Sequence, residues 1–372
     1  MISRGRCFGR LACLKAWVMV VATILVVAAT GATGGVASSA RAVARVEALQ
    51  LHSARQPAPL HGVPLRSETG LHLVFADIPP QVLDIDTGRV KPLLGVPAVH
   101  HGVLWIVGVG GTGAVVVAQT AWPRAHIYGV RARGARVSSL GTGRNVWPAN
   151  DGRTVWVQSV VGRSRCTLRR VGLGGRQLRA PRAFPCATIS DPAGGSLGLV
   201  VHRTRVLDPL TRRTVLKARW GILAVAGQHV VLAGPGRQFT LLDAVTHAQQ
   251  RLAWPSILSG GDEPAVDPRG RFVALTFGDP AWRGGSQQAL DVWVLDTKTG
   301  KLTQLPGMPA FVALKSTSIA WTDDGRLVLL AEERSGRDVV ALWRPGQKRL
   351  AVKTVHLPDR SDSGSDSFAP LP

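Results

Sequence analysis

Two kinds of short turn alternate along this chain, and their order constrains the fold more than any other feature of the sequence. The first kind places a glycine before an apolar, strand-like run; it occurs at Gly70, Gly102, Gly152, Gly194, Gly227, Gly270 and Gly325. The second kind follows a strand-like run that often ends in Leu-Asp; it occurs at Gly88, Gly134, Gly175, Thr211, His247, Gly300 and Gly346. Such hairpin turns favour glycine, asparagine and aspartate because these residues accept positive φ angles.

This repeat predicts an all-β fold, a seven-bladed β-propeller of four-stranded antiparallel blades. Turns of the first kind recur about every 42 residues, which is the usual length of a propeller blade. One blade cannot cover both of its faces, whereas seven blades in a ring cover one another. We expect one domain over residues 61–358, with 41–60 as a linker or an outer strand and 359–372 as a disordered tail.

Three segments resemble the blade signatures of TolB-like and WD40-like β-propellers of bacterial envelopes. They are VDPRGRFVAL at 266–275, VWVLDTKTGKL at 292–302 and AWTDDGRLVLL at 320–330. The resemblance is weak over 103–145, where blade boundaries are hard to set. It is to the general class, because the Gly-His and Trp-Asp pairs of eukaryotic WD40 blades are missing, and it implies a propeller outside the cytoplasm.

The N-terminal 40 residues predict export. Arg4, Arg6, Arg10 and Lys15 precede an uninterrupted apolar run over 16–29, and small residues follow as far as Ala40. This is the order of a secretory signal, which would be removed after Ala40. The uncharged stretch 16–40 is also long enough to span a bilayer as a retained anchor. In both cases the basic flank stays in the cytoplasm and the rest of the chain lies outside it.

Cys166 and Cys186 are the cysteines that follow the export segment. Two cysteines 20 residues apart in an oxidising compartment are expected to form a disulfide bond. Two free buried thiols are the alternative, and too few potential ligands lie nearby in sequence for a metal site.

Two glycine motifs match enzyme signatures without the elements that those signatures need. Gly108–Gly113 matches the GxGxxG phosphate loop, but a β-branched run follows it where a helix is required. No acidic residue occurs between Gly113 and Asp151 to hold a ribose. Gly194–Gly198 matches the GxSxG nucleophile elbow, yet it aligns with the strand-to-strand turns of the repeat. We therefore interpret both motifs as hairpin turns and predict no catalytic residue there and no cofactor.

Positive charge is concentrated in the middle of the chain. The net charge is +22, and residues 121–220 carry 19 basic and 3 acidic side chains, hence +16 of it. Within this sector, residues 163–182 hold seven arginines and no acid, among them Arg163, Arg165, Arg169 and Arg170. The pattern indicates either a plain solvated face or a surface for an anionic partner. Since the chain is exported, we expect an envelope protein or an anionic wall or membrane polymer rather than nucleic acid.

A second candidate surface is the long loop between the second and third strands of the sixth blade. It combines a large aromatic side chain with polar groups, as binding surfaces often do. Its candidate residues are Asp279, Trp282, Arg283, Gln287 and Gln288. In propellers such loops surround the mouth of the central channel. A loop without function is the alternative.

The acidic residues and the histidine pair give a weaker indication of chemistry. Most aspartates fall at repeated turn positions, where a carboxylate accepts backbone hydrogen bonds. Asp262, Glu263, Asp279, Glu332 and Glu333 remain as candidates for the paired carboxylates of a hydrolase. His100 and His101 are adjacent, so on a strand they point to opposite faces and do not predict a metal site.

These observations predict a non-catalytic binding or scaffolding propeller of the cell envelope, acting as a monomer. The alternative is a propeller hydrolase or lyase with acidic residues at the channel mouth. A sensory or transport accessory domain is a third possibility, which the sequence does not separate from the first.

Overall fold

The computed structural model describes a chain built from β-strands. The described residues are 58–97, 102–110, 113–121, 124–131, 133–149, 151–162, 165–186, 189–190, 197–201, 204–258, 264–279, 287–313, 318–333, 335–358 and 367–371. Their first fifteen strands are β1 (Val63–Pro64), β2 (His72–Phe75), β3 (Gln81–Asp84), β4 (Val90–Pro92), β5 (Val103–Val109), β6 (Gly113–Ala121), β7 (Arg124–Arg131), β8 (Arg136–Gly143), β9 (Asn145–Pro148), β10 (Thr154–Val161), β11 (Arg165–Gly172), β12 (Gln177–Phe184), β13 (Ile189–Ser190), β14 (Leu199–Val201) and β15 (Arg205–Leu207). The others are β16 (Thr214–Lys217), β17 (Gly221–Ala226), β18 (His229–Gly234), β19 (Gln238–Asp243), β20 (Gln249–Ala253), β21 (Ala265–Val266), β22 (Phe272–Asp279), β23 (Gln287–Asp296), β24 (Lys301–Gln304), β25 (Ala310–Ala313), β26 (Ser318–Trp321), β27 (Leu327–Glu332), β28 (Asp338–Trp343), β29 (Ala351–Val355) and β30 (Phe368–Leu371). None of the described residues is helical.

The strands form seven antiparallel sheets, which confirms the predicted seven-bladed propeller. Blades 2 to 5 each use four consecutive strands, namely β5–β8, β9–β12, β13–β16 and β17–β20. Blade 6 is β21–β24, with β25 paired to β23 as a fifth strand. Blade 7 is β26–β29, and β1 adds to it in parallel beside β29. Blade 1 has the order β30-β2-β3-β4, so its innermost strand comes from the far end of the chain.

The hydrophobic core is divided among the junctions between blades. Each of the seven clusters of buried apolar side chains in the described residues joins two neighbouring blades. Val116 of blade 2 and Val74 of blade 1 belong to one cluster, for example, and Val328 of blade 7 and Leu73 of blade 1 belong to another. Because blades 7 and 1 also share a cluster, the ring is closed.

Most predicted turns have the expected backbone. Gly70, Gly152, Gly227, Gly270 and Gly325 have positive φ angles in turns of the first kind. In turns of the second kind, Gly88, Gly134, Gly175, His247, Gly300 and Gly346 do, and Arg212 does so in place of the predicted Thr211. Gly194 lies outside the described residues. The sequence therefore identifies most of the hairpins that connect the strands within each blade.

The prediction for the first turn of blade 2 is wrong. Gly102 precedes β5, the first strand of that blade, and is not among the glycines with positive φ. The hairpin between β5 and β6 instead closes at the GxGxxG motif, where Val109 pairs with Gly113. A Cβ on Gly113 would lie 2.1 Å from the Val130 carbonyl oxygen, so close packing requires glycine there. The interpretation of this motif as a hairpin turn is confirmed.

The predicted disorder of residues 359–372 is wrong at its far end. Phe368–Leu371 form β30, which pairs with β2, and Ala369 and Leu371 are fully buried. The short apolar run of this segment contributes core side chains that a strongly polar flank conceals in the sequence. Residues 359–366 lie outside the described residues.

The predicted disulfide bond is present in blade 3. It joins Cys166 in β11 to Cys186, two residues beyond β12, with Cα atoms 5.0 Å apart. The predicted export segment, residues 1–40, lies outside the described residues. No helix with the length and hydropathy for crossing a bilayer occurs in the part of the chain that the structure describes.

Candidate functional site

From Arg165 onward, the arginine-rich segment 163–182 forms β11 and most of β12, the two outer strands of blade 3. Arg163 lies outside the described residues, whereas Arg165 is exposed at the first position of β11. Arg169 and Arg170 follow on the same strand and are partly buried. The structure therefore brings the described arginines of the prediction onto one blade, in two different environments.

Arg169 and Arg170 contact groups of the propeller itself. Arg169 Nη2 donates to the carbonyl oxygens of Leu140 at 2.7 Å and Thr142 at 3.2 Å, both on β8 of blade 2. Burial holds the pKa of its guanidinium below the ordinary value. Arg170 Nη2 pairs with Asp151 Oδ2 at 2.7 Å, and its Nε donates to Thr154 Oγ1 at 2.8 Å. These contacts tie β11 to its surroundings, so a ligand would have to compete for both side chains.

The neighbouring strand β12 presents its cations to solvent. Seven of its eight residues, Gln177 to Ala183, are exposed, and they include Arg179 and Arg182. In the register with β11, Arg179 pairs with Arg170 and Arg182 pairs with Leu168, so Ala180 and Pro181 of β12 together oppose Arg169. This bulge at Ala180 and Pro181 matters because residues three apart on a regular strand face opposite sides. Here Arg179 and Arg182 share the face that Leu168 presents to blade 4.

That face forms one side of a shallow groove between blades 3 and 4. Arg179 and Arg182 line it together with the turn of blade 4 that contains Pro209, Leu210 and Arg212. The apolar floor consists of side chains that are almost fully buried, namely Trp156, Leu168 and Phe184. We call this feature the blade 3–4 groove. Arg179 and Arg182 belong to the arginine-rich segment that the sequence singled out, whereas the contribution of blade 4 was not predicted.

Cationic side chains greatly outnumber carboxylates on blades 3 and 4. Between Asn145 and Lys217 the described residues include eleven cationic side chains and two carboxylates. Asp151 pairs with Arg170, and although burial opposes its ionisation, hydrogen bonds from Arg153 and Thr154 also help to hold its pKa below the ordinary value. Asp208 accepts hydrogen bonds from Leu210 N and Thr211 Oγ1, both at 2.7 Å. In the described part of the chain, Arg179, Arg182 and Arg212 have no ion pair.

The second predicted surface lies on blade 6. Asp279 and Gln287 occupy the ends of β22 and β23, which pair antiparallel, and Gln287 and Gln288 also pair in register with residues of β25. Trp282 and Arg283 lie outside the described residues. The described residues of the two predicted surfaces thus lie on blades 6 and 3. A binding role for each stays a prediction.

The acidic residues have the structural role that their turn positions predicted. Asp86 accepts hydrogen bonds from Thr69 N, Thr69 Oγ1 and Gly70 N, each at 2.7 Å. Of the five candidates for paired carboxylates, Glu332 and Glu333 have described side chains, and Glu333 pairs with Arg337 at 2.8 Å. The described residues contain no group of three or more His, Cys, Asp or Glu side chains that could hold a metal ion.

Comparison with known proteins finds similarity in the architecture. No model of a protein family matches the sequence, and no curated relative does. Among solved structures, puromycin hydrolase is 16% identical over 84% of this chain, with a TM-score of 0.47. An apocarotenoid oxygenase variant from Synechocystis is 12% identical over 84% of this chain and 97% of its own, with a TM-score of 0.44. A candidate TolB from Agrobacterium tumefaciens is 10% identical over 81% and 94%, with a TM-score of 0.38.

This chain spans 56% of the length of puromycin hydrolase. The three proteins are a hydrolase, an oxygenase and a candidate TolB, and a shared architecture does not imply a shared function.

Proposed function

We propose that this chain is a non-catalytic binding propeller outside the cytoplasm that captures an anionic partner on the outer surface of blades 3 and 4. The observation that carries the proposal is the excess of cations over carboxylates on these two blades. A surface of one sign raises the local concentration of oppositely charged ligands and accelerates their association.

Two further observations support this function. The Cys166–Cys186 disulfide is typical of proteins in oxidising compartments outside the cytoplasm. The described aspartates at the repeated turns accept hydrogen bonds from backbone and neighbouring side chains, so they act in the scaffold. The expected partner is an envelope protein or polymer that carries carboxylates or phosphates.

The test compares two sets of charge removals in the full chain. Arg176→Gln, Arg205→Gln and Arg213→Gln remove three exposed cations from blades 3 and 4. Arg251→Gln, Lys301→Gln and Arg349→Gln remove three exposed cations from blades 5, 6 and 7 and give the same net charge. The readout is retention on polyglutamate and polyphosphate resins as the salt concentration rises, because contacts with anionic groups weaken with salt.

We expect the first set to elute at clearly lower salt than the native chain, and the second set to elute close to it. Equal losses for the two sets would mean that retention follows net charge alone and would contradict the proposal. Release of a chemically altered ligand from the column would contradict a non-catalytic role.

A further inference from the structure

We propose that the blade 3–4 groove binds an extended acidic peptide, with carboxylates on Arg179, Arg182 and Arg212 and an apolar side chain over the floor. This inference rests on the proposed function and names the ligand class of that surface. Its occupant would be a segment of an acidic envelope protein, recognised by its charge and by one aliphatic or aromatic residue.

The first argument is the convergence of three arginines from two blades. The bulge in β12 turns Arg179 and Arg182 to the same face, and the turn of blade 4 adds Arg212 from the opposite side. No carboxylate among the described residues pairs with any of the three. Each guanidinium is a planar fork that matches a carboxylate with two parallel hydrogen bonds. The groove thus offers three such forks to one ligand.

The second argument is the backbone of Arg212. Four blades build this turn alike, with a backbone N–H that donates to the carbonyl oxygen four residues earlier: Gly88 to Asp84, Arg212 to Asp208, His247 to Asp243 and Gly300 to Asp296. Two of the four donors are glycines, which adopt a positive φ without strain. Arg212 has a φ of 63° and His247 has a φ of 61°. A bulky residue in this left-handed conformation is strained, and of the two only Arg212 lines the groove.

The third argument favours a peptide over an anionic polymer. A wall or phosphate polymer has no apolar side chains, so it would leave the floor of Trp156, Leu168 and Phe184 unused. The lining adds exposed apolar surface at Leu210. In addition, β12 is the outermost strand of its sheet, so its outer edge offers main-chain groups to an added strand. Charge, apolar floor and strand edge together fit an extended polypeptide.

The central experiment uses Arg212→Gly in the full chain. Glycine relieves the strained φ, so the variant is expected to fold at least as stably as the native chain while it loses one fork. Two control variants replace other non-glycine residues that have a positive φ. Arg237→Gly removes an arginine with a φ of 57° in blade 5, and His247→Gly replaces the equivalent turn residue of that blade. The probe is a short fluorescent peptide of glutamates around one leucine, measured by anisotropy.

We expect Arg212→Gly to weaken peptide binding about tenfold, in line with the loss of a charged hydrogen-bonded pair. Arg237→Gly and His247→Gly should stay within about twofold of the native chain. A peptide with serine in place of the leucine should bind more weakly to the native chain, and Arg179→Gln with Arg182→Gln should weaken the binding of both peptides while the preference for leucine remains.

Three results would overturn the inference. Arg212→Gly could bind the peptide as tightly as the native chain does. Alternatively, Arg237→Gly could weaken peptide binding as much as Arg212→Gly does. Polyphosphate could compete with the peptide in a manner sensitive to Arg212 while leucine makes no difference, which would assign the groove to a polymer. The proposed function fails separately, when the triple variant at Arg176, Arg205 and Arg213 is retained on polyanion resins as well as its control.

Discussion

At the end of the third strand of four blades, an aspartate carboxylate closes the turn that follows. The Oδ1 atoms of Asp84, Asp208, Asp243 and Asp296 accept hydrogen bonds from the backbone N–H two residues later, at 2.7 to 3.0 Å. The aspartates of the Leu-Asp pairs thus have a local physical role, since the aspartate carboxylate stabilises the turn by accepting a hydrogen bond from the backbone N–H two residues later. Hydrogen bonds hold the pKa values of Asp84, Asp243 and Asp296 below the ordinary value, so aspartates at these turns should make the stability of the fold depend on pH.

Asp86 provides the clearest test of this dependence. Burial raises the pKa of its carboxyl, but the donors of Thr69 and Gly70 outweigh burial and hold the pKa below the ordinary value of 3.8. Asp86→Asn should lower the free energy of unfolding by about 1 kcal/mol at pH 7, because Asn keeps one acceptor oxygen. A lowered pKa stabilises the fold above the ordinary pKa, and the stabilisation is lost as pH falls through the lowered value. Urea unfolding should therefore show the two proteins converging in acid.

Glu68→Gln is the matched control for Asp86→Asn. It removes the same charge from an exposed residue beside the same turn and should change the free energy of unfolding by less than about 0.5 kcal/mol. A gap between the native chain and Asp86→Asn that stayed constant down to the acid transition would show that Asp86 acts through shape and not through its charge.

At the scale of elements, the sequence predicts the hairpins better than the strands that they join. Turn residues carry a local signal, because positive φ selects glycine wherever the chain lies. Blade 2 shows the limit of this local signal. The sequence allows a turn at Gly102 and another at the glycines of 110–113, and the pairing of Val109 with Gly113 shows that the hairpin forms at the second position. The blade 3–4 groove was beyond prediction since it depends on the bulge in β12 and on packing between distant segments.

The disulfide of blade 3 should stabilise β12 at its end. Cys166 is buried on β11 and pairs in register with Phe184 on β12, so the bond to Cys186 holds this end of the outer strand. Reduction should lower the free energy of unfolding by roughly 3 kcal/mol, the value expected for a loop of this length. The measurement is urea unfolding with and without dithiothreitol. In Cys166→Ala with Cys186→Ala the reductant should have no effect, and an unchanged midpoint in the native chain would contradict the expectation.

At the scale of the whole molecule, stability depends on contacts that close the ring. Blades 2, 3 and 6 approach one another near the axis, where a Cβ on Gly110 would lie 3.4 Å from Gly152 Cα and 3.9 Å from Pro268 Cβ. Between blades 7 and 1, Arg326 Nη2 donates to the Thr69 carbonyl oxygen at 3.2 Å, and Lys353 Nζ donates to that of Asp86. Two distant parts of the chain, β1 and β30, complete blades 7 and 1. Such long-range pairing is invisible to local sequence patterns.

Leu371 tests whether β30 closes the ring, because its side chain is fully buried although it stands one residue from the end of the chain. Leu371→Ala should lower the free energy of unfolding by about 2 to 5 kcal/mol, the cost of a cavity in a packed core. Leu94→Ala is the matched control in the same blade: Leu94 is 80% exposed, so its loss should cost less than about 0.5 kcal/mol. A chain end that only rests on the surface would make the two variants equally stable. A large difference between them means that the packing of β30 between blades 1 and 2 contributes to the stability of the closed ring.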